Sequence, residues 1–226
     1  MTDLKHKGAM NSEIWNTFTA DPTTGVAVVT LDGVLMYINE QSTRVFFNEL
    51  REPSSVTGQS LYDLGFPKEW VDERIRLFEK IKETGEAILL RTVWHGKQQF
   101  SWMSLVDAEG DGDMAHVLVI TRRIPATEEA QFFLDGEHEV FHSNFIRLGE
   151  LKSLTPRELE VLALLGQKMS IKEIAEALFR SVKTIENHRE SIGRKLKKTR
   201  GVELACIAHI AGLSMEDSTR KRVGDD

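Results

Sequence analysis

The sequence predicts an α+β protein of two modest domains joined by a linker helix: an antiparallel sheet with helices, then a group of short helices. Three observations support this. The chain has 226 residues, more than one small domain usually needs. Short β-rich runs separated by turn residues fill much of the first 124 residues. After Pro125 the periodicity becomes helical, and capped helix starts follow from residue 155 onward.

The front half alternates strands and helices in an order typical of a single antiparallel sheet. Asp32-Gly33 separates two β-rich runs and predicts a hairpin. A helix is expected over Glu40–Leu50, and a longer one over Pro67–Thr84, where apolar residues recur at three- and four-residue steps. Three further strands are predicted over Ala87–His95, Gln98–Val106 and Met114–Arg122. Helices then pack on one face of the sheet.

The segment 125–150 is predicted to be the linker helix. Apolar and histidine side chains recur there at alternating four- and three-residue steps, the spacing of a coiled-coil seam. They are Leu134, His138, Phe141, Phe145 and Leu148. Two interpretations stay open, because two heptads are short: the helix pairs with its copy in a dimer, or it packs on its own sheet. An extension that is helical in part is expected over 1–24, and a flexible tail over 214–226.

Composition excludes several classes of protein. The chain is 41% hydrophobic and 28% charged, which is ordinary for a globular protein and excludes wholesale disorder or a fibrous repeat. Cys206 is the only cysteine, so no internal disulfide or cysteine-based zinc site can form. A reducing cytoplasm fits this usage. We expect neither a signal peptide nor a membrane span, because no sufficiently long apolar run occurs. The acidic turn 107–113 lacks the final carboxylate of an EF-hand loop and is expected to be a hairpin loop.

Charge is distributed unevenly along the chain. The net charge is −6, yet residues 180–200 hold eight Lys and Arg against only Glu186 and Glu190. A run of charge is often just a solvated helix face, so it needs a geometry before it indicates nucleic acid.

That geometry comes from three predicted helices. Thr155-Pro156-Arg157-Glu158 combines an N-cap, a proline in the first turn and a capping-box glutamate. Ser170-Ile171-Lys172-Glu173 is a second capping box, and Ser181 caps a third helix running to about Lys198. The tight turn between the second and third helices is typical of a helix-turn-helix.

The third helix sorts into two faces by spacing alone. One face is apolar, with Val182, Ile185, Ile192 and Leu196; His188 on that face is interpreted as structural. The opposite face carries cations, an amide and carboxylates, the groups that contact phosphates and base edges in a DNA groove. The DNA-binding residues predicted from this face are Lys183, Glu186, Asn187, Glu190, Arg194 and Lys197. Because the two glutamates repel phosphates, affinity must come from the flanking cations.

These residues resemble a known family. Leu154–Leu162, Lys172–Ala175, Leu178, Ser181–Arg189, Ile192 and Lys195-Leu196 are similar to the LuxR-type helix-turn-helix over about residues 150–213. The resemblance implies a four-helix DNA-binding domain over 151–213, with a last helix near Val202–Ala211 that often serves as a dimer contact. It also implies that Lys183, Thr184, Asn187 and Arg194 lie near DNA.

Residues 25–124 resemble a PAS domain, through the order of strands and helices, Tyr37-Ile38-Asn39 and Gly58–Leu64. The resemblance implies a sensor domain that binds a small ligand, haem or flavin, or only pairs with proteins. Six apolar side chains are candidates for lining a ligand pocket, although a filled core is the slightly favoured interpretation. They are Met36, Phe46, Phe47, Trp70, Trp94 and Trp102.

The cofactor stays unknown, and none is required. A photoactive flavin adduct is excluded, because it needs a cysteine beside the flavin and Cys206 lies in the C-terminal domain. Haem is not favoured: Pro67–Thr84 contains no histidine to serve as axial ligand, and His95 and His116 fall on predicted strands. No metal site is expected.

The sequence therefore predicts a cytoplasmic, sequence-specific transcriptional regulator and not an enzyme. It would bind double-stranded DNA, act as a homodimer and take a small-molecule or protein input at the PAS-like domain, without a membrane. One alternative is a haem- or small-molecule-sensing PAS module in which DNA binding is secondary. Another is a sigma-like initiation factor, which the β-rich front half disfavours because promoter melting needs a further helical domain.

Overall fold

Two compact units make up the structure, a computed structural model that describes Glu13 and residues 15–49, 51–107, 115–125, 139–198 and 200–224. The first unit contains the described residues up to Ala87, together with Trp102–Arg122. The second contains Ile88–Ser101 and the described residues from Arg123 onward. No helix within the described ranges is long and apolar enough to cross a membrane.

The strands are β1 (Gly25–Thr30), β2 (Leu35–Ile38), β3 (Ile88–Trp94), β4 (Lys97–Asp107), β5 (Ala115–Arg123), β6 (Val140–Ile146) and β7 (Lys221–Arg222). Their order is β2-β1-β5-β4-β3-β6-β7. The helices are α1 (Glu40–Phe47), α2 (Lys68–Thr84), α3 (Pro156–Gly166), α4 (Ile171–Ala177), α5 (Val182–Lys195) and α6 (Gly201–Ala211). Short 3-10 helices cover Pro53–Ser55, Gly149–Leu151 and Met215–Thr219.

The first unit follows the predicted order closely. β1 pairs antiparallel with both β2 and β5, and Gly33 in the β1–β2 turn has a φ of 92°, a conformation that favours glycine. A Cβ on Gly33 would lie 2.9 Å from Cδ1 of Ile75. α2 places Val71, Phe78 and Ile81 on its buried face. The alternation of apolar residues and their helical spacing therefore predicted the order of strands and helices in the first unit.

Asn39 joins the start of α1 to the rest of the first unit. Its side-chain oxygen accepts from the backbone N–H groups of Ser42 and Val26, both at 2.9 Å. Its amide nitrogen donates to the carbonyl oxygens of Thr19 at 3.0 Å and Thr24 at 2.9 Å. One buried side chain thus satisfies two donors and two acceptors of the backbone, and residues 15–19 are helical, as expected for part of the N-terminal extension.

The predicted linker helix over 125–150 is wrong where the structure describes it. Val140–Ile146 forms β6, which pairs parallel with β3, and Gly149–Leu151 forms a 3-10 turn. The physical reason is that partner strand β3 pairs with the β6 backbone, a distant contact that no local spacing encodes. The proposed seam positions Leu134 and His138 lie outside the described residues.

Two further predictions need correction. The sheet is not wholly antiparallel, because β3 with β6 and β6 with β7 pair in parallel. The expected flexible tail is folded over its described part: Met215–Thr219 is a 3-10 helix, and Lys221–Arg222 is β7. Asp217 and Ser218 in this segment are 2% and 5% exposed. The polar composition suggested a solvated end, whereas buried hydrogen bonds to distant residues hold it in place.

The core of the second unit brings sheet residues and the four C-terminal helices together. Val93 of β3 and Ile146 of β6 belong to the same buried cluster as Leu162, Ile185 and Leu204 of α3, α5 and α6. The boundary between the compact units therefore does not fall at residues 124/125. The β3 strand and the start of β4 pack with the C-terminal helices.

Candidate DNA-binding site

Two capping boxes set the helices that support the site. Thr155 accepts from the backbone N–H of Glu158, and the Glu158 carboxylate accepts from the backbone N–H of Thr155. Ser170 and Glu173 make the same reciprocal pair at the start of α4. These side chains satisfy backbone donors that a helix start leaves unpaired, so α3 and α4 begin where the sequence predicts.

α5 follows α4 after a tight turn. Phe179 in this turn has a φ of 52°, and the Ser181 hydroxyl accepts from the backbone N–H of Thr184 at 3.1 Å to cap α5. Ile185 and Ile192 are fully buried, which fixes the inner face of the helix, whereas Val182, predicted on the same face, is 44% exposed because it is the first residue of the helix. The helix-turn-helix geometry predicted from sequence is confirmed.

Glu158 connects α3 to α5. Its carboxylate accepts from Ser191 Oγ at 2.7 Å and from Lys195 Nζ at 2.6 Å, in addition to the capping bond. Burial by itself raises the pKa of Glu158, but the donors from Lys195, Thr155 and Ser191 outweigh it and lower the pKa to about 2. The charged carboxylate therefore holds α5 against α3.

The outer face of α5 is open to solvent. The Lys183 side chain is 74% exposed, and its Nζ lies 3.7 Å from Oε2 of Glu186. Asn187, Glu190 and Arg194 are exposed along the same helix. Thr184 and Glu186 are half-buried, and Lys197 is exposed just beyond the helix end. The structure thus brings all seven predicted residues to α5 and the turn that follows it.

A basic cleft at the end of α5 adds residues that the sequence analysis missed. Its volume is about 610 Å³, and Arg189 and Lys198 line it beside Arg194 and Lys197. The backbone N–H of Lys198 donates to the Gly193 carbonyl at 2.8 Å, and a Cβ on Gly193 would lie 2.6 Å from the Lys198 carbonyl oxygen. Only the glycine lets the chain turn this closely. Helical spacing alone could not predict the cleft, because the turn after α5 brings Lys198 back beside Gly193, and this turn does not follow the helical repeat.

The exposed side of α6 carries apolar side chains. Val202 is 81% exposed, Ile210 is 41% exposed, and Cys206 is exposed between them. Leu204 and Ala208 on the other side are buried against the core of the second unit. α6 therefore has one apolar side that is exposed in the part of the chain that the structure describes.

The six candidate pocket residues are divided between the two units, with five in the first and one in the second. In the first unit Phe46, Phe47 and Trp70 cluster around Phe66, with ring centroids 4.9–6.4 Å apart. Trp102 in that unit is half-buried, and Met36 is 44% exposed.

The sixth candidate residue, Trp94, belongs to the second unit. It is fully buried there, and the Arg147 guanidinium lies 5.3 Å from its ring centroid. In neither unit do three or more described His, Cys, Asp or Glu side chains lie close enough to hold a metal ion.

The family model for bacterial regulatory proteins of the luxR family matches residues 152–208. Over 90 residues, 40% of this chain and 61% of that protein, the chain is 33% identical to the uncharacterized response regulatory protein YgeK of Escherichia coli. Over 58 residues, 26% of this chain and 28% of that protein, it is 41% identical to the transcriptional regulatory protein LiaR of Bacillus subtilis. The chain thus spans less than two thirds of the length of these relatives.

Among solved structures, the Vibrio cholera VqmA–ligand–DNA complex matches with a TM-score of 0.50 and 17% identity. The match covers 92% of each chain, so the similarity of fold includes the sheet as well as the helices. It confirms the predicted α+β class with its C-terminal helix-turn-helix, but not the linker helix or the wholly antiparallel sheet corrected above. Residues 152–208 therefore form a LuxR-type helix-turn-helix domain, and the similarity of fold extends to the sheet that precedes it in the sequence.

Proposed function

We propose that this chain is a sequence-specific DNA-binding transcriptional regulator that acts in the cytoplasm. The observation that carries the proposal is the outer face of α5, where Lys183, Asn187 and Arg194 are exposed, opposite the fully buried Ile185 and Ile192. Ammonium and guanidinium groups bind phosphates, and an amide pairs with an adenine edge. No catalytic role is proposed, because the arrangement offers groups for recognition.

The cleft at the end of α5 extends the same site. Arg189, Arg194, Lys197 and Lys198 surround it with four cations against one carboxylate, Glu190. A positive cleft beside an exposed helix suits a second phosphate of the same duplex. The cations at both ends of α5 then position the helix in the groove, and its centre reads the bases.

We further propose that the chain binds DNA as a homodimer. The exposed apolar side of α6 supports this, because Val202 and Ile210 gain from being covered by a second copy. A two-fold dimer would place its recognition helices about 34 Å apart, one turn of DNA. The DNA site is then expected to have two related halves.

The PAS-like unit is proposed to receive the signal or to control dimerisation. A filled interior is supported around Phe46, Phe66 and Trp70, where the rings pack on one another. A small-molecule input is the alternative at this unit, and Phe46, Phe47 and Trp70 would line its site only if these packed rings moved apart. Met36, being 44% exposed, would lie at a rim at most.

The first test separates phosphate contacts from the general charge of the chain. Lys183→Ala and Arg194→Ala are expected to weaken binding to every DNA sequence and to reduce the slope of log affinity against log salt by roughly one per lost contact. Lys82→Ala is the matched control, because Lys82 is an exposed cation on α2. Fluorescence anisotropy with labelled duplexes over a salt series measures both quantities. Equal slopes for all three variants would contradict the assignment.

A further inference from the structure

Arg91 of β3 lies at the centre of a buried polar network. It is 3% exposed, and its guanidinium makes a bidentate pair with Asp217, Nη1 to Oδ1 at 3.0 Å and Nη2 to Oδ2 at 2.7 Å. Asp217 is 2% exposed. The two residues are 126 positions apart in the chain, so this contact joins a strand of the sheet to the segment that follows the DNA-binding helices.

The same guanidinium also holds the end of α6. Nη2 donates to the carbonyl oxygen of Gly212, the C-cap of α6, at 2.8 Å. Nε donates to Oε1 of Gln98 at 2.7 Å, and Nε2 of Gln98 donates to the Ile124 carbonyl at 2.9 Å. Arg91 therefore binds both the C-terminal end of α6, at Gly212, and the segment that follows it, at Asp217.

Gly212 allows this close approach. Its φ is 55°, and a Cβ there would lie 2.7 Å from Cβ of Gln98. The backbone at the end of α6 thus lies directly on a β4 side chain. Any other residue at position 212 would push the helix end away from the sheet.

Asp217 is held from its own segment as well. Its Oδ2 accepts from the backbone N–H of Ser214 at 2.7 Å, and Arg220 Nε lies 3.1 Å from Oδ1. Arg220 also donates to the carbonyl oxygen of Ser143 on β6. The next residue, Lys221, pairs with Phe145 of β6. The segment Ser214–Arg222 is therefore fastened to β3 and β6 by several directional contacts.

Such a network is better suited to positioning than to stability. A buried ion pair gains little net free energy over an apolar pair of similar size, because both charges lose their hydration. A bidentate arginine–carboxylate pair, however, fixes direction as well as distance. The pair therefore adds little to the net stability, but it restricts the helices to one orientation.

We propose that Arg91 and Asp217 are positioning residues that hold the DNA-binding helices in a fixed orientation on the β3–β6 part of the sheet. α6 packs on α3, and α3 carries Glu158, which holds α5. A fixed α6 therefore fixes α5. The inference rests on the proposed function: in a dimer, the two α5 helices reach both half-sites together only if each is held at a set angle.

The expected effect is a loss of two-site binding without loss of one-site binding. Binding to a single half-site needs only one α5 surface. Binding to a full site gains affinity when the second α5 helix of the dimer is already held close to the second half-site, which raises its effective concentration there. Asp217→Asn and Arg91→Lys are expected to bind a half-site within about twofold of the unaltered chain. They are expected to lose about tenfold or more of the extra affinity for the full site.

The probes are a duplex that the protein selects from genomic fragments and the same duplex with one half scrambled. The matched control is Glu216→Gln, which removes one negative charge from the same 3-10 helix; the Glu216 side chain is 76% exposed. This control is expected to keep the full-site advantage. Hydrogen exchange is measured in parallel and should speed up in Gly212–Arg222 but not in α5.

The inference would be overturned if both variants kept the extra affinity for the full site. It would also be overturned if half-site and full-site affinity fell by the same factor, because that result indicates general destabilisation. If either variant does not fold, the hydrogen exchange and binding of the other decide. Failure of the proposed function is distinguishable, because the unaltered chain would then select no duplex at all.

Discussion

A fragment of residues 1–124 is expected not to unfold cooperatively. It contains β3 but lacks β6, whose residues pair with Leu89–Val93 in the intact chain. It also lacks Asp217 and Gly212, so Arg91 loses its carboxylate and one carbonyl acceptor. Val93, 2% exposed in the whole protein, loses the apolar cluster around Ile146. Losing a buried ion partner alone costs about 3–5 kcal/mol, a large share of the stability of a small domain.

Thermal unfolding followed by circular dichroism measures this, with the full chain as reference. Dye binding to exposed apolar surface is expected to rise in the fragment. A sharp transition at the temperature of the full chain would contradict the assignment of β3 and the start of β4 to the C-terminal unit.

The second large effect is expected at Glu158, which is 3% exposed. Glu158→Gln removes the charge that Lys195 pairs with and weakens the bonds to Ser191 and Thr155. We expect the free energy of unfolding at pH 7 to fall by about 2–4 kcal/mol, since a neutral amide at this buried position neither pairs with the charge of Lys195 nor replaces all three charge-assisted hydrogen bonds. Glu160→Gln on the same helix is the control, and its effect should stay below about 1 kcal/mol because its pair with Arg157 is partly exposed.

The pH dependence of this effect follows from the lowered pKa. The folded pKa of Glu158 is about 2, against an ordinary value of 4.5. A carboxylate with a lowered folded pKa contributes stability that is present above the unfolded value and is lost as pH falls through the folded one. The stability difference between the unaltered chain and Glu158→Gln should therefore shrink from about pH 5 to about pH 2. Urea unfolding at several pH values checks this, and a constant difference would contradict it.

Local signals predicted the C-terminal helices well. The caps Thr155, Ser170 and Ser181 accept from backbone N–H groups three residues away, so a short stretch of sequence is enough to predict them. The outer face of α5 followed from helical spacing, because Ile185 and Ile192 had to be inside. This part of the site needed no knowledge of the rest of the chain.

Distant pairing was not predictable in the same way. Phe141 and Phe145 fit a helical seam by spacing, yet their segment pairs with β3, about fifty residues earlier. Arg91 and Asp217 are charged residues, which are almost always placed at the surface unless paired. Their pairing depends on how the whole second unit folds, so no window of sequence could show it.

If the outer face of α5 reads the DNA sequence, Asn187→Ala changes recognition at a single base position. Asn187 is exposed near the middle of the helix, between Lys183 and Arg194. Competition binding with a panel of single-base variants of the selected duplex compares the altered and unaltered chains. We expect a loss of roughly 1–3 kcal/mol at one base position, a relaxed preference there and nearly unchanged nonspecific affinity. Equal weakening on every duplex in the panel would show that Asn187 does not read a base, and no change on any duplex would place DNA recognition elsewhere.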